Sequence, residues 1–179
     1  MSRAHARRGF TMVEAIAAIV VISVLGSIAS FVLHAAVRGS MDAATGESLA
    51  ADASAALERI VRGLRAIDDD GGTPGVQPSI GEVGPTLIRW NTNWSLSRSG
   101  TTVLLEESGG TPTALVRDAS AFTIQTYNGV GGVLGGTLSG AACHAVRRIE
   151  VTLTLARAGR QVALRTRVTP RCTVTGAGG

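Results

Sequence analysis

A long apolar run near the N-terminus dominates the pattern of polar and apolar positions. From residue 15 to residue 36 only His34 can ionise. At about 1.5 Å per residue, a helix over this run spans roughly 33 Å, which is enough to cross the core of a bilayer. The run is longer than the apolar region of a secretory signal peptide, and no small-residue cleavage pattern follows it. The sequence therefore predicts a helix that stays in the membrane.

After the apolar run, the pattern becomes that of an amphipathic helix. Apolar residues recur at three- and four-residue steps with charged residues between them, and the Asp- and Gly-rich segment 68–75 then ends the helix. We predict that the helix continues over residues 38–70 and lays one face on the remaining chain. That face is formed by Leu49, Ala53, Leu57, Ile60, Val61, Leu64 and Ile67.

The rest of the chain is predicted to form β-strands. Short candidates cover residues 86–90, 101–106 and 121–127, and the Gly-rich stretch 129–140 is predicted to be a loop. Together these elements predict an α+β fold, with one long N-terminal helix half in the membrane and half packed on a small antiparallel sheet.

The clearest strand signal is a closing hairpin around Ala158 and Gly159. A tight turn at this dipeptide places every apolar position on one side, with Leu155 facing Val162. Ala-Gly is not the preferred sequence for such a turn, so a register shifted by one pair is the alternative.

The same hairpin register makes two further pairs. It places Leu153 opposite Leu164 on the inner side, and Glu150 opposite Arg167 on the outer side.

The positive charge is concentrated at the N-terminus. Arg3, Arg7 and Arg8 precede the apolar run, and without them the formal net charge of +4 falls almost to zero. Basic residues on one flank keep that flank in the cytoplasm, so the C-terminal part is predicted to be exported. The excess of basic residues is thus a signal for the orientation of the helix in the membrane.

Glu14 is a carboxylate at the start of the apolar run. An isolated acid at the centre of a bilayer costs roughly 2.5–3.5 kcal/mol, and less near an end. A residue kept at such a cost is usually functional.

These features together resemble the type IV pilin superfamily, which includes the pseudopilins of type II secretion. The resemblance lies in the basic nine-residue leader, Gly9 before the cleavage point, Phe10 as the new N-terminus and Glu14 as the fifth mature residue. It implies that a prepilin peptidase cleaves between Gly9 and Phe10 and methylates the Phe10 amine. It also implies that Glu14 meets the N-terminal amine of a neighbouring subunit and so sets the assembly register.

The resemblance also implies an organisation and a role. Residues 1–9 would be the cleaved leader, 10–37 the transmembrane assembly helix, 38–70 its amphipathic continuation and 71–179 an exported β-rich domain. Residues 114–127 and the hairpin through 168–171 resemble J-type minor pseudopilins and related minor pilins. Such subunits are thought to build the tip complex of a secretion pseudopilus or pilus-like filament.

Partners and location follow from the same resemblance. They are the prepilin peptidase, other pilins and the inner membrane, with no small-molecule substrate. Two alternatives stay open, a DNA-uptake minor pilin and a single-pass anchored binding domain that never assembles.

Few residues point to other chemistry. Cys143 and Cys172 flank the closing hairpin, and in an exported domain a disulfide is predicted over free thiols. The triplet 68–70 is a weak calcium candidate formed by Asp68, Asp69 and Asp70, but it lacks the alternating spacing of a known calcium loop. No nucleophile or metal constellation is complete, so neither an enzyme nor a cofactor is expected.

Arginines cluster in the closing hairpin with one acid, Glu150. A DNA-binding patch is one interpretation, because phosphate contacts are made by arginine. A solvated outer face is favoured because no aromatic residues are interleaved. The arginines are Arg147, Arg148, Arg157, Arg160, Arg165, Arg167 and Arg171.

Overall fold

The computed structural model describes residues 11–70 and 77–173. The chain divides into two compact units between Ala44 and Thr45. A single helix, α1 (Met12–Arg65), begins in the first unit and ends in the second.

The described part of the first unit is the N-terminal part of α1, which contains the apolar run. Its large apolar side chains are exposed along the whole segment, with Met12 at 82% and Phe31 at 76%. Among the described residues, α1 is the helix that is long and apolar enough to cross a membrane. The prediction of a long apolar helix is confirmed. Surface of this kind is stable only when lipid or other helices cover it.

In the second unit, α1 is amphipathic as predicted. Leu49, Ala53, Leu57, Ile60 and Leu64 are buried, while Val61 is only half-buried. Ile67 is also buried, but it lies just beyond the helix end.

The helix ends at Arg65, earlier than the expected residue 70. The side chain of Asn91, far along the chain, caps it there. Its Nδ2 donates to the carbonyl oxygen of Ala66 at 2.9 Å, and its Oδ1 accepts from the Asp68 N–H at 2.9 Å. These bonds replace the helical hydrogen bonds that residues beyond Arg65 would have made.

Ten strands form two antiparallel sheets rather than the single sheet predicted. The strands are β1 (Ile80–Val83), β2 (Leu87–Trp90), β3 (Trp94–Ser99), β4 (Thr102–Glu106), β5 (Thr113–Val116), β6 (Ala119–Tyr127), β7 (Val133–Leu134), β8 (Leu138–Ser139), β9 (Arg148–Arg157) and β10 (Arg160–Val168). One sheet has the order β5-β4-β3-β2-β1-β8 and the other the order β10-β9-β6-β7. Short 3-10 helices cover Gly140–Ala145 and Arg171–Thr173.

The three short predicted strands are confirmed as β2, β4 and β6. The loop prediction for residues 129–140 is wrong, because β7 and β8 lie within it. β7 pairs with β6 in one sheet, whereas β8 pairs with β1 in the other. The Gly-rich segment therefore links the two sheets.

The register of the closing hairpin is confirmed. Leu155 pairs with Val162, Leu153 with Leu164, and Glu150 with Arg167.

The turn of this hairpin is a tight one. Ala158 and Gly159 both have positive φ angles, 50° and 77°. Positive φ at both central residues is the backbone of a type I′ turn, so this dipeptide adopts the hairpin turn despite its unfavoured alanine.

The second unit has one apolar core, which includes Trp90 and Phe122 and the buried face of α1. The helix approaches the six-stranded sheet closely at Gly63, where an added Cβ would lie 3.3 Å from Cζ2 of Trp90. The absence of a side chain at Gly63 therefore sets the distance between α1 and β2.

Candidate functional site

The start of α1 carries the residues that the sequence singled out. Gly9 and Phe10 lie outside the described residues, so their expected cleavage and methylation stay predictions. Glu14 lies in the first turn of the helix.

Thr11 and Glu14 cap the helix reciprocally. The Thr11 hydroxyl accepts from the Glu14 N–H at 3.3 Å, and Glu14 Oε2 accepts from the Thr11 N–H at 3.4 Å. This Thr-x-x-Glu arrangement is a capping box, which fixes where the helix starts. This capping role was not predicted, although a Thr followed three residues later by a Glu before an apolar run is its sequence signature.

The capping bonds leave Glu14 able to bind a second partner. At 3.4 Å the hydrogen bond from Thr11 is long, and the carboxylate is exposed. Glu14 is the only acid between residues 12 and 37 of the sequence. A cation brought to it in an apolar setting would interact with it far more strongly than in water.

A face of small residues lies further along the apolar part of α1. Ser23, Gly26, Ser27 and Ser30 line a shallow groove together with Phe31 and His34. The Ser23 hydroxyl donates to the Ile19 carbonyl at 2.8 Å, and the Ser27 hydroxyl donates to the Ser23 carbonyl at 2.9 Å. Both hydroxyls are thus satisfied within the helix, which suits an apolar environment. A face of small side chains allows another helix to approach closely.

No disulfide joins Cys143 and Cys172 in the structure. Cys143 is fully buried in the 3-10 helix before β9, and Cys172 is half-buried in the short helix after β10. Burial raises the pKa of the Cys143 thiol, and the nearby charge of Glu82 raises it further. Burial likewise raises the pKa of Cys172, with Asp69 adding to the effect. The disulfide is not formed here and stays a prediction.

The aspartates at 68–70 organise the turn after α1. Asp68 Oδ2 accepts from Asn91 Nδ2 at 3.0 Å, and Asp70 Oδ2 lies 2.7 Å from His144 Nε2. Asp69 forms a β-bridge with Pro78. Among the residues described, no three His, Cys, Asp or Glu side chains converge as metal ligands. The geometry thus gives the weak calcium hypothesis no support.

The outer face of the closing hairpin contains a nearly buried carboxylate. The Glu150 side chain is 6% exposed, and its Oε2 accepts from Arg165 Nη2 at 2.6 Å and from Arg167 Nη2 at 2.8 Å. Arg167 also stacks 4.7 Å above the ring of Tyr127. The hydrogen bond from Arg165 lowers the pKa of Glu150, and the bond from Arg167 lowers it further.

Another arginine of the hairpin is also paired. Arg157 lies 2.8 Å from Asp118 and 3.4 Å from Asp52. These ion pairs reduce the positive charge that the hairpin presents, which favours the interpretation as a solvated face.

Comparison with known proteins adds one finding. Residues 4–30 match the family described as the prokaryotic N-terminal methylation motif. No curated protein and no solved structure is significantly similar to the chain.

The matched segment covers most of the leader, Glu14 and the larger part of the apolar run. The chain therefore carries a type IV pilin-like prepilin leader followed by an apolar helix of membrane-spanning length. These features indicate a membrane-anchored, pilin-like subunit that a prepilin peptidase processes.

Proposed function

We propose that this protein is a structural subunit, a minor pseudopilin or minor pilin, that assembles through α1 into a pseudopilus or pilus-like filament at or near its tip. The observation that carries the proposal is the first unit of α1. Its large apolar side chains are exposed throughout, and its N-terminal end bears one exposed acid within the methylation motif.

The first step is insertion. Burying large apolar side chains stabilises by roughly 1.5–3 kcal/mol each, so the segment from Met12 to Val37 partitions strongly into a bilayer. Arginines at positions 3, 7 and 8 hold the leader on the cytoplasmic side, and the second unit is exported.

The second step is cleavage between Gly9 and Phe10. It creates a positive amine close to Glu14, about one helical turn away along the chain. It also removes the three leader arginines, so that the mature chain is almost neutral.

The third step is docking between neighbouring helices. An amine and a carboxylate about 4 Å apart attract by about 4 kcal/mol at an effective dielectric constant of 20, and the cost of desolvation offsets much of this. A wrong axial register leaves Glu14 alone in an apolar bundle, which is unfavourable. The pair therefore selects a register more than it adds net stability. The small-residue groove at Ser23 and Gly26 provides the close approach that docking needs.

The test is the mature N-terminus of the full chain isolated from its host membrane. Mass spectrometry is expected to find Phe10 as the first residue, carrying a methyl group. Gly9→Val is expected to abolish cleavage because the branched side chain obstructs the scissile bond. Gly39→Ala is a matched control, since an added Cβ there meets nothing within 4 Å. A mature chain that keeps its leader would favour the rival, an anchored domain that does not assemble.

A further inference from the structure

The strand β10 (Arg160–Val168) lies at the end of the four-stranded sheet, and β9 is its one neighbour among the described strands. We call its other side the free edge. The remaining ends of the two sheets are β5, with four residues, and β7 and β8, with two each. β10 has nine residues, contains no proline and pairs with β9 in an unbroken register. Short length, prolines and bulges protect a sheet edge from pairing, and β10 has none of these three.

Alternate residues of β10 direct their backbone groups to the free edge. In a hairpin with a two-residue turn, the residues that flank the turn, here Arg157 and Arg160, form a hydrogen-bonded pair, and such pairs recur at every second residue. The N–H and C=O groups of the residues in between therefore point away from β9. No backbone hydrogen bond from another described segment reaches them. These residues are Gln161, Ala163, Arg165 and Arg167.

The face of the sheet that carries Arg165 and Arg167 has an excess of positive charge. The register places Arg148 and Glu150 of β9 on the same face, so three cations share it with one anion and two positive charges remain unbalanced. Glu150 accepts hydrogen bonds from both Arg165 and Arg167, yet their side chains stay 61% and 48% exposed. The next strand, β6, adds no charge to this face, where its residues are Ala121, Thr123, Gln125 and Tyr127.

The opposite face of β10 is apolar and only partly covered. Val162 and Leu164 pack against the core, and both are half-buried. Their partners one strand further in, Leu155 and Leu153, are fully buried. A strand added at the free edge, with apolar residues at alternate positions, would cover the exposed parts of Val162 and Leu164.

We propose that the free edge of β10 binds an extended acidic segment of another protein, which joins the four-stranded sheet as an added strand. The two faces of β10 select the sequence of that segment. Its acids lie on the face of Arg165 and Arg167, and its apolar residues alternate with them on the face of Val162 and Leu164.

A second copy of β10 is a poorer occupant of the free edge than an acidic strand. It would bring Arg165 and Arg167 of both copies onto one face of the joined sheet, where like charges on neighbouring strands repel. The positive charge thus opposes self-pairing and favours an acidic partner. The inference concerns the second unit alone and does not depend on leader processing.

Binding of a synthetic peptide to the full chain in a nonionic detergent tests the proposal. The probe is a short, end-blocked fluorescent peptide in which glutamate alternates with valine, and its anisotropy is followed as the chain is added. Saturable binding is expected at neutral pH. One control peptide has lysine in place of glutamate, and another has the glutamates and valines in separate blocks. Both are expected to bind about tenfold more weakly or less, because they lose the charge match or the alternation.

Variants of β10 separate the backbone contact from the charge. Ala163→Pro removes an N–H at the free edge and leaves the bonds to β9, so it is expected to weaken binding about tenfold. Ala163→Ser keeps that N–H and is the matched control, with unchanged affinity expected. Arg165→Gln is expected to weaken binding about two- to fivefold, as the loss of one cross-strand ion pair would. Thermal unfolding checks that each variant folds.

Hydrogen exchange of the wild-type chain locates the contact without any substitution. The four N–H groups of β10 that point to the free edge are expected to exchange at least about tenfold more slowly when the peptide is bound. Mass spectrometry of fragments that cover residues 160–168 measures this change. Fragments that cover β5, which also lies at a sheet edge, are the control and are expected to stay unchanged.

Four outcomes would overturn the inference: no saturable binding of the alternating peptide, equal binding of either control peptide, equal affinity of Ala163→Pro and Ala163→Ser, or unchanged exchange at β10. Equal binding of the block peptide would mean that positive charge alone attracts an acidic chain. If the mature chain begins at Phe10 but binds no such peptide, the proposed function stands and the strand addition falls. Specific binding by a chain that keeps its leader would have the opposite meaning.

Discussion

Replacement of Glu150 by Gln removes the charge of one nearly buried carboxylate and leaves the shape of the side chain almost unchanged. The wild-type side chain is 6% exposed and accepts hydrogen bonds from two guanidiniums, those of Arg165 and Arg167. Glutamine keeps the shape but loses the charge. The two cations would then face each other with no anion between them.

The size of the effect follows from this geometry. Hydrogen bonds to charged groups contribute roughly 1.5–3 kcal/mol. Arg165 and Arg167 are 61% and 48% exposed, however, so water compensates part of the loss. We expect the free energy of unfolding of the second unit to fall by about 1–2 kcal/mol. For a unit of this size, the melting temperature would fall by roughly 3–8 °C.

The assay is thermal unfolding of the full chain in detergent, followed by circular dichroism. Glu58→Gln is the matched control, since Glu58 also pairs with an arginine, Arg62, at 3.2 Å. Both of those side chains are largely exposed, 75% and 68%, so no measurable change is expected.

The pH dependence of stability shows whether the ionised form of Glu150 stabilises the folded state. The pKa of Glu150 is lowered in the folded state from its ordinary value of 4.5. Its stabilisation is therefore complete above that value and is lost as the pH falls through the folded pKa. The difference between wild type and Glu150→Gln is expected to be largest near pH 7 and to close below about pH 4.5. If Glu150→Gln unfolded like Glu58→Gln, or if the difference persisted in acid, the reasoning would be wrong.

Three further predictions concern assembly, the helix end and the cysteines. Glu14→Val is expected to leave membrane insertion intact but to reduce incorporation into filaments at least tenfold, measured by shearing filaments from cells and blotting; normal incorporation would contradict the register argument. Asn91→Ala is expected to lower the unfolding free energy by about 2 kcal/mol, because it removes a helix cap at a residue with a φ of 48°. In thermal unfolding, Asn91→Gly is expected to lose less unfolding free energy than Asn91→Ala, because glycine tolerates that φ. Equal losses in the two variants would mean that the backbone conformation at this residue contributes nothing to stability. Alkylation and mass spectrometry of the exported protein are expected to find Cys143 and Cys172 bridged; two alkylated thiols would refute the predicted disulfide.

Local patterns made part of this fold predictable. The apolar face of α1 from Leu49 to Leu64 follows from helical periodicity alone. The register of β9 and β10 follows from alternating residues on two strands joined by a two-residue turn. Both depend on residues close in sequence, where periodicity and turn geometry act directly.

Other elements could not be read from the chain. Five short strands, β1, β3, β5, β7 and β8, were not predicted, because runs of two to six residues offer few positions in which a period can show; β2 and β4 are as short and were predicted. The helix end at Arg65 depends on Asn91, which only the folded chain brings beside it. The partition into two sheets likewise depends on pairings between distant strands, such as β1 with β8.

The features of the candidate site and of the second unit's surface likewise fall into those that the sequence determined and those that only the folded chain shows. The sequence alone determined the prepilin motif, the apolar run and the position of Glu14, because a leader and a membrane span are linear signals. Only the tertiary structure decided that Glu150 is nearly buried beneath Arg165 and Arg167, and that Val130 projects from a turn held by Asn128. The physical reason is that burial depends on which strands become neighbours, and distant parts of the chain determine that.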